Sequence, residues 1–281
     1  MSKLIRRSPL VTDEHAGGNV SDYREYRPPL PLAEHFLCFW TQTVSSQAEF
    51  PQRVLPDCCV DIILINETAA VVGPWTEFFV AHLPPGTNII GARCYPGHVP
   101  NVLGIPASEL LNQSVPLRDV WGRIETARFA RIAQEPTLSA RMSAMETALI
   151  GRMADAGESD KATSAAIRWL ARYPHGRVEE LGRWLGFSSR QIQRRFTMAV
   201  GYGPKLFQSV LRFQRLLNLA ASAPDRWSLA QLAASADYAD QAHMTREVQR
   251  FSGSPPSVAL QSPRCTLRLS DLVQKNSAPE L

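Results

Sequence analysis

Chain breakers cut the stretch from residue 32 to 105 into short pieces: Leu55-Pro56-Asp57, Gly73-Pro74, Pro84-Pro85-Gly86 and Pro96-Gly97. The pieces between them are rich in aromatic and β-branched residues. Strands are predicted over 36–44, 60–65, 69–72, 78–81 and 88–93. Several short strands at this spacing predict a small β-barrel or sandwich. Residues 1–30 are rich in Arg, Pro and Gly and read as a poorly structured arm, flexible over 1–22, running into an extended lead-in.

The periodicity then changes. Helical patterning begins near Ile105 and strengthens over 122–133 and 136–153. In the second window Leu138, Met142, Met145, Leu149 and Met153 form an apolar stripe, read as packing rather than a cofactor site. The two windows predict a helical hairpin that packs on the barrel or pairs two subunits. Residues 154–161 are small, polar and acidic and read as a linker. Everything from 162 to 260 reads helical, with a tail over 261–281 that includes a short helix at 267–273. The fold class is α+β: a β-rich domain with a helical extension over 23–153, then an all-α domain. A length of 281 residues suits two domains.

Composition narrows the function classes. Hydrophobic residues at 44% and charged residues at 20% suit a soluble globular chain. No apolar run approaches the roughly 18 residues of a membrane span. The basic residues 1–9 lack a following apolar core, so no secretory signal is expected, and the expected compartment is the cytoplasm. The five cysteines, Cys38, Cys58, Cys59, Cys94 and Cys265, contain no C-x-x-C pair. No metal, cofactor or membrane partner is expected. Charge divides the chain: residues 1–160 carry 13 Lys and Arg against 18 Asp and Glu, a balance of −5. Residues 161–260 carry 14 against 6, a balance of +8. A polyanion, if one is met, meets the second part.

That second part holds two related units. In the first, Val178, Leu181, Trp184 and Leu185 are predicted to share the apolar face of a short helix. Gly186 allows a reversal, Phe187 drops into the core, and Ser188 caps a second helix. Ile192 and Phe196 of that helix face inward, while Arg190, Gln193 and Arg194 project outward. Arg pairs with guanine O6/N7 and Gln with adenine N6/N7, so these are the side chains of a recognition helix. In the second unit Ser228 caps one helix, residues 236–239 turn, and Asp240 caps the next, which ends at Gly253. Between the units Pro204 starts a long helix with a wide apolar face.

Two helix-turn-helix units joined in this way are a specific pattern. Residues 162–260 resemble the DNA-binding domain of the AraC/XylS family of bacterial transcription regulators. The resemblance rests on Gly186-Phe187-Ser188-x-Arg190-x-Ile192-x-Arg194-x-Phe196, Gly201-x-x-Pro204, Arg212-Phe213, Tyr238-x-Asp240-Gln241-x-His243-Met244-x-Arg246 and Gly253-x-x-Pro256. It implies DNA-contacting roles for Arg190, Gln193 and Arg194, and for Gln241, Ala242, Thr245 and Arg246. Asp237 stands where the family usually has Gly, and Asp tolerates a left-handed conformation better than most residues. Ala242 offers only an apolar contact, such as to a thymine methyl, so the second unit is expected to contribute less affinity. The resemblance implies a transcription regulator that binds double-stranded DNA. RNA polymerase, a small-molecule effector and a second copy of the chain are the other candidate partners.

Residues 23–122 resemble an uncharacterised domain often found before AraC-type units, through Leu55-Pro56-Asp57-Cys58-Cys59-Val60-Asp61, Pro96-Gly97 and Leu117-x-Asp119-x-Trp121-Gly122. Cys58 replaces a glycine of that pattern. Asp57 and Asp61 read as a turn closure and a backbone-bonding strand start rather than paired catalytic carboxylates. Adjacent Cys58 and Cys59 point to opposite faces of a strand and cannot easily share one ion. His35, His82 and His98 show no ligand spacing with Cys38 or Cys94, and Trp40, Trp75 and Phe78 read as core. An alkyl-accepting repair enzyme is the competing class, but it requires a reactive, usually metal-bound thiolate whose cysteine cluster is absent. A nonspecific DNA-binding adaptor is the third class.

Overall fold

The computed structural model describes residues 11–14, 21–222 and 227–261. Most of the predicted arm, Cys265 and the tail helix over 267–273 lie outside them. The amino-terminal half contains β1 (Val11–Glu14), β2 (Ser21–Tyr26), β3 (Phe36–Val44), β4 (Phe50–Val54), β5 (Val60–Ile65), β6 (Thr68–Val72), β7 (Phe79–Leu83) and β8 (Asn88–Cys94). Helix α1 (Val99–Leu103), strand β9 (Ser114–Pro116) and helices α2 (Leu117–Ile132) and α3 (Leu138–Met153) follow. The carboxy-terminal half is helical: α4 (Lys161–Arg172), α5 (Val178–Leu185), α6 (Ser189–Val200), α7 (Pro204–Ser222), α8 (Leu229–Ser235), α9 (Gln241–Ser252) and α10 (Pro256–Ala259).

The predicted order of a β-rich half followed by an all-helical half is observed, but the sheet does not close into a barrel. Seven antiparallel strands run in the order β1-β2-β3-β8-β5-β6-β9, and β4 pairs only with β7 in a separate ribbon. Alternation along the strands explains why. Phe39, Ile62, Leu64 and Ile90 point to one face, where Val102, Leu103, Phe129, Met142, Met145 and Leu149 of α1–α3 cover them. Trp40, Ile63 and Ile89 point to the other face, against Leu83 and Phe50 of the ribbon. Both faces are buried without curling, so closure is not needed. The methionine stripe is packing, as its periodicity indicates. Residues 21–26, read from sequence as an extended lead-in, instead pair along their whole length with β3.

One buried charge ties three strands and a turn of this half together. Arg93 on β8 is 5% exposed. Its Nε and Nη2 donate to Asp61 Oδ1 and Oδ2, each at 3.1 Å, and Nη1 lies 3.5 Å from Glu25. Asp57 is 3.8 Å from Nε, while its Oδ1 accepts the backbone N–H of Cys59 at 2.9 Å. The two aspartates therefore hold an arginine and close a turn. Cys58 adopts φ +66, the left-handed conformation that accounts for the glycine usual at this place. Burial pushes the Cys58 and Cys59 thiols up, which disfavours the reactive thiolate.

The helical half has one core, built on Phe196, Phe207, Phe213, Leu216 and Phe251, and that core also takes in Cys58, Cys59 and Tyr95 from the β-rich half. Gln214 of α7, 0% exposed, donates its amide to the carbonyl of Pro56 at 2.6 Å. Among the described residues no helix is long and apolar enough to cross a membrane, and no group of three or more His, Cys, Asp or Glu is placed to hold a metal ion. Removing one partner from a buried ion pair leaves the others uncompensated. Arg93→Ala is expected to lower the unfolding free energy by about 3–5 kcal/mol, as read by urea denaturation.

Candidate nucleic-acid interface

Each helix-turn-helix unit is assembled by local rules. In the first, the turn residue Gly186 has φ +72. Ser188 Oγ accepts the N–H of Gln191 at 3.3 Å, and Gln191 Oε1 accepts the N–H of Ser188 at 2.9 Å, a reciprocal cap that starts α6. Ile192, Phe196, Ala199 and Val200 are buried, so Arg190, Gln193 and Arg194 stand on the exposed side. Arg190 and Arg194 make no hydrogen bond or ion pair among the described residues. Gln193 Nε2 lies 3.5 Å from Thr197 Oγ1, and its amide packs beside Gly203.

Trp184 departs from expectation. It is 60% exposed rather than part of the apolar face of α5. Leu181 and Gly182 are buried and Val178 and Leu185 pack on the same core, which centres the inner face between them. At 100° per residue, Trp184 lies about 110° round the helix from that centre.

The second helix of the second unit repeats that of the first at a constant offset of 52 positions. Ser188 and Asp240, Ile192 and Met244, Phe196 and Val248, and Gly201 and Gly253 correspond. Arg190, Gln193 and Arg194 thus correspond to Ala242, Thr245 and Arg246. The turn carries one additional residue, and Asp237 takes φ +62 there, as its side-chain type allows. Arg215 forms an ion pair with the Asp237 carboxylate. Ser228 caps α8 by accepting from Gln231, and Asp240 Oδ1 accepts the N–H of His243 at 2.6 Å to start α9. Gln241, Ala242 and Arg246 are exposed. Thr245 is half-buried and bonds back to the carbonyl of Gln241 at 2.8 Å. Arg212 of α7 meets Glu247 of α9 at 2.9 Å with both side chains largely buried, which fixes α9 to the long helix.

A further pair orients α6. Arg195 turns away from the outer face, lies 4.9 Å over the Phe187 ring and donates to Asp160 at 2.8 Å. Asp160 also caps α4 through Ala162 and Thr163. Sequence reading placed Asp160 in a linker. Its cap signal is legible only once α4 is known to start at Lys161.

Two helix-turn-helix units with polar, exposed second helices define a DNA-binding protein. Residues 181–262 match a helix-turn-helix domain family of the AraC type, and residues 24–116 match a domain of unknown function, DUF6597. The carboxy-terminal part is therefore an AraC-type helix-turn-helix domain, and the chain is a DNA-binding transcription regulator. No curated protein matches the chain in sequence. Among solved structures it is similar to ToxT of Vibrio cholerae at 10% identity and TM-score 0.44, over 79% of this chain and 97% of that one. An apo variant of ToxT gives 11% and 0.42 over 80% and 98%. A form of ToxT with an unsaturated fatty acid bound gives 11% and 0.40 over 80% and 95%.

Burial acts to raise the Asp160 carboxyl, but hydrogen bonds from Arg195 and Thr163 outweigh it and hold it below the ordinary aspartate value. The stability this contributes is present above the unfolded value, about 3.9, and is lost as pH falls through the lower folded value. Asp160→Asn is expected to be less stable than the parent at pH 7 by up to about 1 kcal/mol. The gap should shrink in thermal melts as pH is lowered below about 4; an unchanged gap down to pH 2 would contradict the assignment.

Proposed function

We propose that this chain is a sequence-specific regulator that reads two successive major grooves. In this reading Arg190, Gln193 and Arg194 of α6 enter one groove, and Gln241, Ala242, Thr245 and Arg246 of α9 enter the next. The observation that carries it is the repeat itself: two capped helices, equivalent position by position, each with its outer polar face open to solvent. Helix α7, 19 residues long, spans about 28 Å between the units. Successive grooves lie about 34 Å apart, within reach of two helices flanking such a spacer. The domain organisation follows: DNA binding by 162–260, a linker over 154–161, and regulation and dimerisation by 23–153. The setting is the cytoplasm. A small-molecule effector supplies the signal and RNA polymerase is the protein partner.

Dimerisation is assigned to the outer side of the α2–α3 hairpin. There Ile124, 79% exposed, and Ile150, 37% exposed, are large apolar side chains left open to solvent. Ile124→Glu is expected to shift the chain to monomer in sedimentation; an unchanged mass would place the contact elsewhere.

The DNA reading is tested by selecting duplexes from a random pool with the purified protein at near-physiological salt. An enriched motif of two patches one helical turn apart is expected. Binding without enrichment that fades steeply with salt would mean contact through charge alone. On the selected duplex Arg194→Ala and Gln193→Ala should each cost about 1–3 kcal/mol. Arg246→Ala should also weaken binding, and unchanged affinity would remove α9 from the interface.

A further inference from the structure

The two recognition helices end on one loop. Helix α6 finishes at Gly201 (φ +99) and α9 at Gly253 (φ +69), the corresponding left-handed caps of the two units. A Cβ on Gly201 would lie 2.6 Å from the ring of Pro74, and a Cβ on Gly253 would run into the ring of Phe78. Pro74 and Phe78 belong to the same short connection, residues 73–78, between β6 and β7. One six-residue segment of the β-rich half therefore touches the carboxy-terminal ends of both helices.

That segment is stiff. Gly73 donates to Gln113 at 2.9 Å, and Asn112 donates to the carbonyl of Pro74 at 3.0 Å. Asn112 Oδ1 accepts the N–H of Thr76 at 2.8 Å. The Trp75 ring packs on Phe79 at 4.1 Å. Arg53 of β4 strengthens the second contact. Its guanidinium stands 5.1 Å over the Phe78 ring and donates to the carbonyl of Ser252 and to Ser254 Oγ, each at 2.5 Å. A cation there also favours the negative end of the α9 dipole.

We propose that residues 73–78 are a brace that sets the separation and relative angle of the two recognition helices, making Pro74, Phe78 and Arg53 determinants of the operator spacing the protein accepts. Helix α7 joins the units along one side. The loop joins them along a second side and closes a frame. Two frame members resist a change of angle that one helix could follow by bending. The contacts fall at the carboxy-terminal ends of α6 and α9, whereas recognition helices present their amino-terminal residues to base edges, so the brace leaves the reading ends free. The spacing claim rests on the two-groove reading; the frame itself does not.

Two measurements keep these apart. Spin labels at Arg194→Cys and Arg246→Cys, in full-length chain with Cys265→Ser, report the inter-helix distance without DNA. Cys38, Cys58, Cys59 and Cys94 are buried. A single narrow distance is expected in the parent, broadening in Phe78→Ala and in Arg53→Ala. Arg53 is surface-exposed, so its variant carries the test should Phe78→Ala fail to fold. Unchanged distributions in the folded variants would overturn the brace. In random-duplex selection the parent should enrich two patches at one spacing, and the variants both patches with scattered spacing. A fixed spacing in the variants would overturn the specificity claim. Should the parent enrich no motif, the two-groove reading and the spacing claim both fall, while the spin-label distances still decide the frame.

Discussion

The amide of Gln214 donates to the carbonyl of Pro56 in a place that solvent does not reach. Leaving either group without a partner in that setting costs about 1–3 kcal/mol. The bond sits where the helical core would otherwise be open, beside Cys58, Cys59 and Tyr95, which complete that core from the other half. The helical half then does not bury its apolar surface alone. The turn that leads into β5 is at once the start of a strand and part of the floor beneath the DNA-binding units. The turn before β5 and the end of β8 thus share one packed interior with the long helix.

Within the helical half, order is built from short-range rules that agree with one another. Side-chain caps start α6, α8 and α9, left-handed residues end or turn them, and a four-residue apolar spacing holds each second helix to the core. The Arg212–Glu247 pair then locks α9 to α7. The polar outer faces are what remains once every inward position is taken. Arg190, Arg194 and Arg246 stay open to solvent because their inward neighbours Ile192, Phe196, Met244 and Val248 are committed to packing.

Legibility in the sequence followed the range of the interaction. The caps at Ser188, Ser228 and Asp240, and the reversals at Gly186 and Asp237, depend on neighbours within four residues and were readable. So were five of the strands, whose residue types and breakers are local. What depended on distant partners was not. Closure of the sheet turns on which layer covers each face, and the coincidence of α1–α3 on one face with the β4–β7 ribbon on the other has no local signature. Trp184 counted as apolar, but its outward direction depends on how closely Gly182 approaches the turn. Phe78 looked like core and instead meets Gly253, a glycine 175 positions further along the chain. Cys58 read as an anomaly in a glycine position; its φ of +66 shows that the backbone requirement persists without the glycine.

The open sheet has one more consequence. A sheet that does not close keeps two margins, and an exposed margin is a template for strands of other chains. Among the described residues the outermost strands are the shortest of the seven: four residues in β1 and three in β9. Pro116 in β9 has no amide hydrogen to donate. A foreign strand arriving at either end would find few backbone groups to pair with. The molecule thus limits adventitious fibril-like association without rolling its sheet into a cylinder.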